Sequence, residues 1–287
     1  MENDDQLVGR LLDRRDAVRL LALTGAGLLV GCNRGAAGAD SAAVAVGDAA
    51  AGGTAALPAC LVKPELMVGP YFLDRQLERS DIRAEPTTGQ LRAGAPLALT
   101  FHVSRVDGGR CAPLADAMVD VWHCDAEGVY SGVVDEQEGF KTVGQKFLRG
   151  YQVTGADGLA RFTTIYPGWY PGRAVHIHFK IRTPAGVALA ENAPNRAPKT
   201  SSVYEFTSQL FFDEATSDRV FAQAPYAAKG QRDTTNAGDE IYGDQGRQLL
   251  LAVTPSGQGY AATFDIGLDL SDAAKGRADV DGPPPKG

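Results

Sequence analysis

Histidine and cysteine are scarce in this chain, with four of each in 287 residues. Any transition-metal site must therefore draw on His102, His123, His176 and His178, a few thiols, and oxygen donors. No two cysteines share a CxxC-like spacing, which argues against a thiolate zinc site. Basic residues are also in deficit: 28 Lys and Arg face 35 Asp and Glu, a net charge of -7. Without residues 1–31, which hold four Arg and five acidic residues, the balance is 24 minus 30, or -6. A nucleic-acid binder is excluded on that ground. No apolar run is long enough to span a bilayer, and no internal repeat or low-complexity stretch interrupts residues 58–270. With 44% hydrophobic residues the chain can bury a core, which excludes wholesale disorder.

The N-terminus reads as an address. Arg14, Arg15 and Arg19 precede an apolar run from Leu20 to Val30, too short for a membrane span but fitted to a secretory h-region. The run meets Leu29-Val30-Gly31-Cys32, which resembles a bacterial lipobox, so residues 1–31 are expected to be a signal peptide and Cys32 the lipidated mature N-terminus. The Arg14-Arg15 pair resembles a twin-arginine signal, set slightly ahead of general secretion. Residues 33–56 hold 11 Ala and 5 Gly and no aromatic. Residues 32–57 therefore form a tether that cannot bury enough apolar area to offset its ordering entropy. The expected location is the bacterial cell envelope or the exterior, lipid-anchored. In that oxidising setting Cys60, Cys111 and Cys124 allow at most one internal disulfide, its pairing open. The tail, 271–287, with Pro283-Pro284-Pro285, is read as loose.

Between these ends, alternation of period two recurs in short runs at 97–103, 117–123, 158–165, 175–182, 205–213, 248–254 and 260–268, separated by Gly, Pro and Asp. Only 217–223 reads as a helix. The expected architecture for 58–270 is an all-β antiparallel sandwich with few short helices.

Chemistry concentrates between Trp122 and Gln209. His176 and His178, two residues apart on a strand, point to one face and can reach one ion. The turn-rich stretch from Tyr166 to Arg173 (YPGWYPGR) sets aromatic and cationic side chains beside them, and the stretch from Asp120 to Gly132 ends on a further tyrosine, Tyr130. Taken singly, Tyr130 and Tyr170 read as packing residues, Arg173 as a solvated charge, Gln209 as a strand amide and Trp122 as sandwich core. His102 and His123 are set outside the site.

Together these segments resemble the intradiol ring-cleavage dioxygenases. The resemblance covers roughly residues 60–268. It is carried by Leu148-Arg149-Gly150 with Thr154, Gly155, Asp157 and Gly158, by Phe162 to Pro171, and by His176-Ile177-His178-Phe179. It implies a β-sandwich and a non-haem Fe(III) centre that uses O2 to open catechols to cis,cis-muconic acids. By resemblance, Tyr130, Tyr170, His176 and His178 are the metal ligands, with Tyr170 leaving when substrate binds. Arg173 stabilises charge on the substrate carbon, Gln209 borders the pocket, and Gly69-Pro70-Tyr71 lines it. The chemistry is coherent, because a trivalent ion favours anionic oxygen donors and drives phenols to ionise far below their usual pKa of about 10. The implied partners are small catechols, lignin-derived for an exported enzyme; catechol, protocatechuate and hydroxyquinol remain open, as does monomer against homo-oligomer. The loop of five residues between Tyr170 and His176 is short for the family and predicts a more open pocket. Two other readings use the same residues: a non-catalytic β-sandwich module binding plant polymers or aromatics, and a zinc hydrolase built on His176 and His178.

Overall fold

The computed structural model describes residues 61–107, 110–183, 204–243 and 245–270. All of them lie in the second of the two units into which the chain divides, Ala55–Gly287. The signal, Cys32, the tether and the tail lie outside the described residues.

Eleven strands and one helix are described: β1 (Pro96–Asp107), β2 (Arg110–Pro113), β3 (Met118–Trp122), β4 (Val134–Asp135), β5 (Phe140–Lys141), β6 (Arg149–Val153), β7 (Leu159–Ile165), β8 (His176–Arg182), β9 (Glu205–Phe211), α1 (Glu214–Phe221), β10 (Val253–Ser256) and β11 (Gly259–Leu268). One sheet runs β10-β11-β1-β2, with β7 on the free edge of the first half of β1. The other runs β6-β3-β8-β9, and β4 and β5 form a separate hairpin. The all-β sandwich is thus present, with one departure from the antiparallel expectation: β1 and β11 pair in parallel, Leu97 opposite Tyr260.

Alternation dictates the packing. Leu97, Leu99, Phe101 and Val103 of β1 are buried, as are Val119 and Val121 of β3 and Ile177, Phe179 and Ile181 of β8, and all belong to one core cluster. Phe179 bridges the sheets, its ring 5.2 Å from Phe101 and 5.5 Å from Phe264. Each such side chain contributes about 1.5–3 kcal/mol on burial.

The second sheet is buried on its outer face as well. There the segment 64–79 crosses it from β9 to β6. Leu66 N donates to Thr207 O at 3.0 Å, Gln209 Nε2 to Met67 O at 3.1 Å, Arg182 Nη1 to Asp74 Oδ2 at 2.8 Å, and Tyr151 N to Leu77 O at 2.8 Å. This strap turns β8, one-sided by pattern, into a strand buried on both faces.

Three local expectations are corrected. The helix starts at Glu214, because Asp213, read as the end of a strand, caps it by accepting from Thr216 N at 2.8 Å. The 248–254 run is largely a 3₁₀ turn (Gly246–Leu249) and a single bridge from Leu250 to Phe211, so the strand begins at Val253. Trp122 is not in the sandwich core; it faces outward in a second cluster with Tyr71, Cys124, Tyr130 and Tyr170. Cys111 is disulfide-bonded, its partner outside the described residues, and Cys124 is a buried free thiol.

Candidate metal centre

The strand β8 places His176 and His178 on its outer face, with Trp122 and Gln209 opposite His178 on the flanking strands β3 and β9. The Trp122 indole stacks on the His178 ring, centroids 5.0 Å apart. The Nε2 atoms of the two histidines are 3.0 Å apart, and Tyr170 Oη is 3.2 Å from His176 Nε2. His176 Nδ1 donates to Ala174 O at 2.6 Å, which leaves its Nε2 lone pair facing the cluster.

Each tyrosine sits on a loop locked to the other. Asp125 O accepts from both Gly128 N and Gly168 N at 3.0 Å, one on each loop. Gly128 has φ +83, and a Cβ there would lie 2.2 Å from Trp169 O, so the approach of the loops requires glycine. Lys229 clamps the same junction, donating to Glu127 O at 2.5 Å with its ammonium over the Trp169 ring. Tyr130 is fixed through its backbone, its carbonyl accepting from Thr142 Oγ1 at 2.6 Å. Its ring centroid is then 5.7 Å from Tyr170 and 6.2 Å from His178.

The four side chains are buried, and burial sets their protonation. It pushes the Tyr130 and Tyr170 phenols well above their usual pKa and the His176 and His178 imidazoles well below theirs. Without a cation the cluster is neutral, with two of its polar atoms, Tyr130 Oη and His178 Nδ1, buried and unpartnered. Such orphans are rare and costly, and a cation reverses the balance by favouring phenolate. Two phenolates and two neutral imidazoles fit a trivalent ion. Among the described residues no group of three His, Cys, Asp or Glu converges, so the zinc-hydrolase reading finds no third ligand.

Arg173 lies beside the cluster, donating from Nε to Asp239 Oδ2 at 2.9 Å and from Nη2 to Gln209 Oε1 at 2.5 Å. Gly69, at φ +74, crosses directly over His178, where a Cβ would stand 3.1 Å from Cε1. Pro70 is exposed. Tyr71 stacks on Tyr130 with centroids 4.2 Å apart and donates its hydroxyl to Asp135 on β4. Arg149, part of the motif that carries the family resemblance, is consumed by structure. Its guanidinium donates to Tyr71 O, Ser131 O and Ser131 Oγ, and burial lowers its pKa to about 10. His123 and His102 stand apart, the first bonded to Thr164 and Cys124 O, the second to Asp265. Two residues at the site went unread in the sequence. Trp122, sandwich core by pattern, faces outward, and Asp239 carries no motif at all.

Fold and site together define a β-sandwich with a buried two-phenol, two-imidazole cluster on the outer face of one sheet. A dioxygenase family model (Dioxygenase_C) matches residues 67–231, more than half of the chain, which belongs to this family of intradiol ring-cleavage dioxygenases. The chain is 30% identical over 139 residues to chlorocatechol 1,2-dioxygenase of Pseudomonas sp. strain P51, covering 40% of this chain and 49% of that protein. It is 35% identical over 106 residues to the protocatechuate 3,4-dioxygenase beta chain of Burkholderia cepacia, covering 33% and 43%. This chain spans about half the length of the curated relatives that it matches. Among solved structures, an intradiol ring-cleavage dioxygenase from Tetranychus urticae is 29% identical with a TM-score of 0.59, over 77% of this chain and 98% of that one.

Proposed function

We propose that this chain is a non-haem Fe(III) dioxygenase that cleaves catechols with O2 between their hydroxyl-bearing carbons, giving cis,cis-muconic acids. The observation that carries the reading is the approach of Tyr170 Oη, at 3.2 Å, and His178 Nε2, at 3.0 Å, to His176 Nε2, with the Tyr130 ring packed against both Tyr170 and His178. Tyr130, Tyr170, His176 and His178 would hold the iron. Bound there, ferric iron supplies a Lewis acid that withdraws electron density from a catecholate ring and opens it to O2.

The remaining work belongs to the chain. As a phenolate, Tyr170 is a base within the site and accepts one catechol proton, so the enzyme needs no base from solvent. Arg173 has five N–H donors, of which Asp239 and Gln209 engage two; the others are left to meet negative charge on the substrate. Gln209, wholly buried, fixes the guanidinium from β9 and ties the strap through Met67 O. Tyr71 and Gly69 close the cluster from above and keep water from the ligand atoms.

We further place the mature protein outside the cytoplasm, exported with a twin-arginine-like signal and anchored through lipidated Cys32, acting on small catechols such as those released from lignin. The disulfide at Cys111 supports an oxidising compartment.

The test is the visible spectrum of the ferric-loaded domain, before and after anaerobic addition of catechol, in wild type and Tyr170→Phe. The wild type should show a broad phenolate-to-iron band that shifts with catechol, and the variant should lose about 100-fold in turnover, with an altered band. A colourless wild type would leave the non-catalytic binding module as the better reading. A Tyr170→Phe variant with wild-type colour and turnover would overturn the ligand assignment.

A further inference from the structure

The loop from Tyr170 to His176 bears a proposed ligand at each end and Arg173 between them. A second segment grips it. Asp239 is buried to 3% exposure and belongs to the stretch 232–242, which follows α1. Its Oδ2 accepts from Arg173 Nε at 2.9 Å and Ala174 N at 2.8 Å; its Oδ1 accepts from Ile241 N at 2.7 Å and Tyr242 N at 3.1 Å. Six residues earlier, Asp233 Oδ1 accepts from Gly172 N at 3.3 Å. The gripping segment is itself anchored to α1. Arg232 pairs with Glu214 and with Asp218, and Glu214 Oε1 accepts from Asn236 N at 2.6 Å.

We infer that Asp239 is a positioning residue, one that aims the Arg173 guanidinium and fixes the backbone between Tyr170 and His176. All four of its partners are N–H donors, two on each oxygen. Only a carboxylate satisfies them, because an amide of the same shape turns an NH2 group against two donors whichever way it flips. Its negative charge also neutralises a guanidinium that is only 15% exposed, so that Arg173 can stay inside the protein with its remaining donors unspent. From the other side, Gln209 holds Nη2. The arginine is therefore set by two elements, β9 and the 232–242 segment, in advance of any ligand, and such preorganisation is what a charge-stabilising donor requires.

The kinetic part of this inference rests on the dioxygenase reading; the geometric part does not. Hydrogen exchange of arginine Nε–H groups in the metal-free protein tests the geometry, with Arg149 as internal control because its Nε donates to Ser131. In wild type both Nε–H groups should be protected. In Asp239→Asn the Arg173 signal should exchange at least tenfold faster while that of Arg149 is unchanged. A fast-exchanging Arg173 Nε–H in wild type overturns the proposal without need of any variant. In the ferric enzyme, Asp239→Asn should keep the visible band and lower kcat by about 100-fold, with KM moved by less than about threefold. In an Arg173→Ala background the same substitution should cost less than about a further twofold, since it acts through the arginine. Full additivity of the two losses would also overturn it. If the wild type shows neither band nor turnover, the dioxygenase reading fails and the exchange experiment still decides the role of Asp239.

Discussion

On its inner face β8 presents Ile177, Phe179 and Ile181 to the opposite sheet; on its outer face it presents His176, His178 and Lys180 to the strap. Both faces are buried, but the inner one is satisfied and the outer one is not. Histidines make the contrast visible. His123, which reaches across to β7, has both ring nitrogens bonded, to Cys124 O at 2.8 Å and Thr164 Oγ1 at 2.7 Å. His178, equally buried, leaves Nδ1 without a partner. Burial alone thus does not distinguish the two histidines; what differs is whether their buried ring nitrogens are paired.

Three measurements break or sharpen that contrast. The largest effect belongs to the inner face. Phe179→Ala, which removes the ring joining the two sheets, should cost about 3–5 kcal/mol in urea denaturation and leave the ligand set of any surviving folded protein unchanged. Next comes acid. Burial depresses the pKa of His123 from 6.5 to about 4, so the unfolded chain binds a proton that the folded one refuses between those values. The stability this histidine contributes is present above pH 6.5 and falls away as pH drops toward 4, by about 3 kcal/mol at most. Denaturation of the metal-free protein at pH 7, 5.5 and 4.5 should show that slope, and His123→Gln should flatten part of it. The smallest effect has the opposite sign. Because Tyr130 Oη is buried without a partner, Tyr130→Phe should stabilise the metal-free protein by about 1 kcal/mol, and in the proposed ferric form it should shift and weaken the phenolate band, which Tyr170 alone would then carry. A destabilised variant that keeps the wild-type band unchanged would remove Tyr130 from the metal.

Much of this was legible in the sequence, for identifiable reasons. The inner face follows period-two alternation in β1, β3, β7 and β8, and the histidine pair follows from the same pleat. What alternation cannot show is what covers a face. Trp122 alternates correctly yet packs outward, because the strap that buries it comes from 64–79 and leaves no mark on the β3 sequence. Arg149 sits in a motif that carries the family resemblance, but only the fold shows its donors spent on the carbonyls of Tyr71 and Ser131. Asp239 had no local signal, since its four partners are brought together by tertiary contact. The shift in α1 is a capping effect, decided by one aspartate that a strand pattern had already claimed.

The parallel pairing of β1 with β11 bears on how the molecule comes into being. Leu97 waits for Tyr260, 163 positions later, so the longest ladder of the first sheet is also its least local one. Closing a loop of that size precedes any gain from the contact, which slows folding. During synthesis, one edge of β1 stays open until β11 has emerged. A chain truncated before Gly259 would carry that open edge permanently, with Phe101 and Val103 beside it, and would be expected to pair with its neighbours in place of its own C-terminus.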